Sequence, residues 1–130
     1  MNAKAMELKS LVVSKESVAQ NTIATAVHGL VSIIDGTGEI MPLSPLGKFD
    51  LLGKLLVYLI ARRAAVVLGF STKASGSAEE IAAAMGLNAQ RVREYLSRYK
   101  GKYFEKLPDG FQVPLPRVMS VCEEITARRK

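Results

Sequence analysis

The sequence predicts a mainly α-helical chain with one small β-hairpin, an α+β fold. Three observations predict it. Leu51 to Phe70 is a long apolar stretch broken only by Lys54, Arg62 and Arg63. Residues 77–99 read as two short capped helices separated by Gly86. Residues 103–113 hold two short aromatic and β-branched runs split by Pro108-Asp109-Gly110, a strong turn signal.

The elements follow in order. From Val18 to Ile34, apolar residues at Val18, Ile23, Ala26, Val27, Leu30, Ile33 and Ile34 keep a loose 3.6-residue period, which predicts a helix capped by Ser14 or Ser17. Its β-branched content lowers helix propensity. His28, the one histidine, reads as a packing residue of this helix. Asp35-Gly36-Thr37-Gly38 is a stop, and residues 36–48, with Pro42 and Pro45, form a connector with an extended piece at Glu39–Leu43. A second helix is expected from Phe49 to about Leu68, ended by Gly69. The two arginines inside it are costly in lipid, so it reads as a core helix whose charged residues reach the surface rather than a membrane span.

Ser77-Ala78-Glu79-Glu80 matches a capping box, with Ile81, Ala82 and Met85 inward and Gly86 closing the helix. Leu87 plugs the turn. Asn88 caps a further helix from Ala89 to about Tyr99, with Val92, Leu96 and Tyr99 on one face. The strands Tyr103–Leu107 and Phe111–Val113 follow, Pro114 ends the second, and Pro116 opens a last helix, Arg117 to about Arg128. The organisation is an N-terminal helical arm and connector over residues 1–47 and a domain over residues 48–130.

The run from Ala78 to Leu96 resembles the helix-turn-helix of winged-helix transcription regulators: a short helix containing Ile81-Ala82, a glycine turn at Gly86, an apolar Leu87, a polar cap at Asn88, and a helix holding Val92 and Leu96 inward. The hairpin that follows is similar to that family's wing. The resemblance covers roughly 75 residues and extends to small archaeal winged-helix proteins. It implies a winged helix-turn-helix with an N-terminal helical extension, double-stranded DNA as partner, and a role in transcription regulation.

Charge agrees with that expectation. The chain carries +6 formally. Residues 1–47 sum to −1 and residues 48–130 to +7, so a polyanion partner is expected for the second part. An α-helix fits the major groove with its first turn against base edges. The residues expected at bases are Asn88, Gln90, Arg91 and Glu94. Those expected at the DNA backbone are Ser77, Arg93, Ser97, Arg98, Lys100, Lys102, Lys106 and Gln112, with Ser77 at a helix N-terminus offering free amides. Glu94 opposes a purely electrostatic contact. A winged-helix protein–protein module without DNA binding is the alternative, and RNA a third.

No enzyme is expected. There is no phosphate-binding glycine loop, and one histidine with one cysteine cannot supply a zinc site. Asp35-Gly36-Thr37-Gly38 is the wrong order for an aspartic protease. Neither cofactor nor metal is implied. Charges at Lys4, Glu7, Lys9, Lys15 and Glu16 leave no secretory signal, and the single Cys122 fits a reducing compartment, so the expected location is the cytoplasm. The apolar stripe of the N-terminal helix must be covered, either by the chain's own 49–68 helix or by a second copy. A homodimer through these two helices is expected.

Overall fold

The computed structural model describes residues 15–129. Its helices are α1 (Lys15–Val27), α2 (Leu51–Val67), α3 (Ala78–Met85), α4 (Ala89–Arg98) and α5 (Val118–Arg128). Two antiparallel pairs of strands accompany them: β1 (Val31–Ile33) with β2 (Ile40–Pro42), and β3 (Glu105–Leu107) with β4 (Gly110–Gln112). Short 3-10 turns at Ser44–Lys48 and Leu115–Arg117 lead into α2 and α5. The architecture is α+β, as expected.

The N-terminal part departs from expectation. The helix stops at Val27 instead of running to Ile34, because Gly29 turns the chain with a positive φ of 80°. Val31, Ser32 and Ile33 then pair with Pro42, Met41 and Ile40. β-branched residues favour this pleated pairing over another helical turn. Asp35 to Gly38 is the turn of that hairpin, where the Ile34 amide donates to the Glu39 carbonyl at 2.9 Å. Ser14 lies outside the described residues, and Ser17 falls inside α1 rather than before it. His28 is exposed just past the helix end, so it does not pack as expected.

α2 is the axis of the molecule. Leu52, Leu55, Leu56, Val57, Tyr58, Leu59, Ile60, Ala61 and Ala65 are all buried, so it is apolar nearly all round, the signature of a helix surrounded by its own protein. Asp50 caps its start by accepting from the Gly53 amide at 3.0 Å. At its end Gly69 (φ 81°) donates to Val66 and Phe70 donates to Ala65, a Schellman closure. α1 and α5 pack on α2 and on each other. Ile23, Ala26, Val27 and Leu30 join the α2 and α5 residues Val118, Val121, Cys122 and Ile125 in one continuous core. The apolar residues Ile23, Ala26, Val27 and Leu30 are therefore covered by their own chain. Among the described residues, no helix is long and apolar enough to cross a membrane.

The β3–β4 hairpin is tied to the loop before α3 by a backbone bridge. Gly76 and Phe111 exchange two bonds, each 2.9 Å. Gly110 approaches so closely that a Cβ placed on it would lie 2.5 Å from the Gly76 carbonyl. There is no room for a side chain at Gly110.

Candidate nucleic-acid interface

α3 and α4 are set by local chemistry. The Ser77 hydroxyl accepts from the Glu80 amide at 3.1 Å, and the Glu80 carboxylate accepts from the Ser77 amide at 3.4 Å. Gly86 takes the left-handed conformation (φ 68°) and ends α3. The Asn88 carboxamide then accepts from the Arg91 amide at 3.0 Å and starts α4. Val92 and Leu96 are fully buried and anchor α4.

That anchoring leaves one face of α4 in solvent. Gln90, Arg91, Arg93, Glu94, Ser97 and Arg98 are all exposed, and Gln90, Arg93, Glu94, Ser97 and Arg98 line a shallow depression along it. Asn88 is exposed at its head, with its oxygen committed to the cap. Lys100, Lys102 and Lys106 are exposed beyond its end. Arg93 is the one cation of this group held by a carboxylate, bonding Glu79 across the α3–α4 turn. Among the described residues no ion pair holds Arg91, Arg98, Lys100, Lys102 or Lys106.

Two expected backbone contacts stand differently in the structure. Ser77 has its own amide and hydroxyl engaged in the capping box, with Glu79 and Glu80 in the same turn. Two carboxylates at that helix start oppose an incoming phosphate. Gln112 is half-buried rather than presented outward: it accepts from Arg63 at 3.3 Å and donates to Glu105 at 3.1 Å. The tip of the β3–β4 hairpin is also occupied. Asp109 accepts from the buried Ser75 hydroxyl at 3.2 Å and pairs with Lys73 at 3.4 Å, and Lys73 lies 3.7 Å from Glu80. These bonds hold the Asp109 carboxyl below its ordinary value despite the opposing effect of desolvation. The charges are thus arranged unevenly, ion-paired where the hairpin tip meets α3 and basic along α4.

Three further features were missed in the sequence. Arg62 and Arg63 reach backbone carbonyls instead of solvent: Arg62 donates to Ser75 at 2.6 Å and Arg63 to Val113 at 2.9 Å. Burial pushes the Arg63 pKa down, against the pull of Glu105. Tyr95, Tyr99 and Tyr103 form a ladder with ring centroids 6.2 and 5.8 Å apart. All three are half-buried and pack against the core, so Tyr99 lies on the inward face as expected but is only partly covered. Arg98 lies 4.8 Å and Arg91 5.9 Å from the Tyr95 ring centre, and Lys102 lies 5.2 Å from that of Tyr103. The spacing of four residues between successive tyrosines was visible in the chain.

Compared with models of protein families, with curated proteins and with solved structures, the chain finds no match.

Proposed function

We propose that the chain is a winged helix-turn-helix protein that binds double-stranded DNA, with α4 in the major groove, and acts as a DNA-associated regulator rather than an enzyme. The observation that carries this reading is the asymmetry of α4. Its buried face is locked by Val92 and Leu96, while its first turn presents Gln90 and Arg91, and five of the six basic residues from Arg91 to Lys106 have no carboxylate partner among the described residues. The order of helix, bridged segment at Gly76, α3, α4 and hairpin supports the winged-helix assignment. Arg91 suits guanine and Gln90 adenine. Glu94, at the middle of the outer face, suits the cytosine amino group.

Labelled duplex titrated at 50 and 200 mM salt tests the reading. Five neutralised phosphates give a log–log salt slope of roughly −4 to −5. Arg91→Ala should weaken a preferred site more than random duplex. Arg98→Ala or Lys100→Ala should weaken both alike and reduce the slope by about one. Absence of duplex binding at low salt removes the proposal.

A homodimer on two half-sites, in the cytoplasm, belongs to the same proposal. The fold fills the apolar stripes of α1 and α2 internally, so what supports the dimer is the two-fold habit of such readers. A monomeric mass by light scattering at micromolar concentration would rule it out.

A further inference from the structure

We propose that the flank of α4 is a stacking platform for unpaired bases, so that the protein also binds single-stranded nucleic acid. Tyr95, Tyr99 and Tyr103 step along this flank at near-equal intervals, and adjacent ring planes are inclined by 47° and 33°. The rings are not stacked face to face upon one another. Each is half-buried and packs against the core, so part of each remains open to solvent.

The groups laid over these rings are cations. Arg91 and Arg98 flank Tyr95, and Lys102 covers Tyr103. No carboxylate pairs with these three among the described residues. An aromatic row built only to fill the core would be buried, and a charged row built only for solubility would not need the rings. Aromatic faces alternating with unpaired cations match a strand whose bases and phosphates alternate. A guanidinium lying over a ring adds a flat face on which a base stacks equally well. The bases must be unpaired, because in a duplex each base face is already covered by its neighbours. Duplex recognition by Gln90, Arg91 and Glu94 uses groove edges and needs no aromatic face. The two activities share Arg91 and Arg98 but differ in their need for the tyrosines.

The test is anisotropy of labelled dT15 and U15, beside a blunt hairpin duplex, at low salt. Tyr95→Leu and Tyr103→Leu should each lower single-strand affinity by roughly 5- to 150-fold per lost stack, leaving duplex affinity within about twofold. Tyr95→Phe should retain single-strand binding. An unchanged thermal midpoint in Tyr95→Leu separates lost stacking from lost folding. Comparable affinity for dT15 and U15 is expected, since stacking does not read the sugar. Failure of wild type to bind either strand, or full retention in both leucine variants, overturns the platform. Loss of duplex binding alone would overturn the major-groove reading and leave the platform standing.

Discussion

Alanine at Gly110 should be far more damaging than alanine at Gly101, although both glycines have positive φ. Gly101 (φ 89°) has nothing within 4 Å of an added Cβ. Its substitution therefore costs only the left-handed strain, about 1–2 kcal/mol. Gly110 (φ 152°) would place a Cβ 2.5 Å from the carbonyl carbon and oxygen of Gly76 and 2.8 Å from the Ser77 amide nitrogen. Those are backbone atoms, so no rotamer change relieves the overlap. The strain itself is about 1–3 kcal/mol. Relief requires the hairpin to lift, which breaks the two Gly76–Phe111 bonds at about 0.5–1.5 kcal/mol each. The expected total is about 2–6 kcal/mol. Urea denaturation followed by far-UV circular dichroism reads the difference, as a midpoint shift of roughly 1–3 M for Gly110→Ala at typical slopes. Equal midpoints for the two variants would refute the crossing as the reason for glycine at 110.

Four other outcomes follow from the same geometry. Burial raises the Asp50 carboxyl, but bonds from Arg128 and the Gly53 amide outweigh it, so its pKa lies below the ordinary 3.8. Its contribution to stability is complete above that value and is lost as pH falls through the depressed one; Asp50→Asn should flatten this part of the acid limb while keeping the cap, and Asp50→Ala should cost about 1 kcal/mol more in a denaturant titration. Burial pushes the Cys122 thiol up to about 11, leaving about one thiolate in a thousand at pH 8, so a disulfide-exchange reagent should label it only after unfolding. Glu79→Gln frees Arg93 from its partner and should steepen the duplex salt slope by about one; an unchanged slope would place Arg93 away from phosphate. Arg63→Met keeps the stem but removes the donor to Val113, at about 1–3 kcal/mol of chemical stability, and a midpoint matching wild type would show that bond to be incidental.

Legibility in the sequence followed the range of the interaction. α3 and α4 were readable to within a residue because their boundaries are set by bonds three residues apart, Ser77 with Glu80 and Asn88 with Arg91. The end of α2 was readable for the same reason at Gly69. The β1–β2 hairpin was not: three-residue strands are too short to show alternation, and the apolar spacing up to Ile34 also satisfies a helix. Only pairing across the Asp35–Gly38 turn decides between them. Arg62 and Arg63 were read as solvent-seeking because their acceptors lie 13 and 50 residues away. Gln112 was expected at the DNA backbone, whereas Arg63 and Glu105 hold it. The tyrosine spacing was legible, but nothing local distinguishes a half-open ring from a core one.

The arginine pair and the glycine crossing together bear on how any ligand would meet α4. Arg62 grips the carbonyl of Ser75, just before the bridge, and Arg63 grips that of Val113, just after β4. Both strands of the crossing are thereby referenced to one helix, α2, and α3 begins one residue beyond the capping Ser77. α4 packs on α3 through a turn with a fixed left-handed glycine. The proposed interface is therefore carried on a chain of short, directional constraints rather than on a mobile loop, which lowers the ordering cost of binding. Polarity then selects the approach. Carboxylates at Glu79, Glu80 and Asp109 gather at the α3 start and the hairpin tip, where Arg93 and Lys73 pair with them, whereas Arg91, Arg98, Lys100 and Lys102 are exposed with no carboxylate partner among the described residues. A polyanion is drawn to the unpaired cations, so its path runs along α4 toward Lys102. That same path passes over Tyr95, Tyr99 and Tyr103, which is why an electrostatic approach and aromatic stacking are expected to act on one strand together.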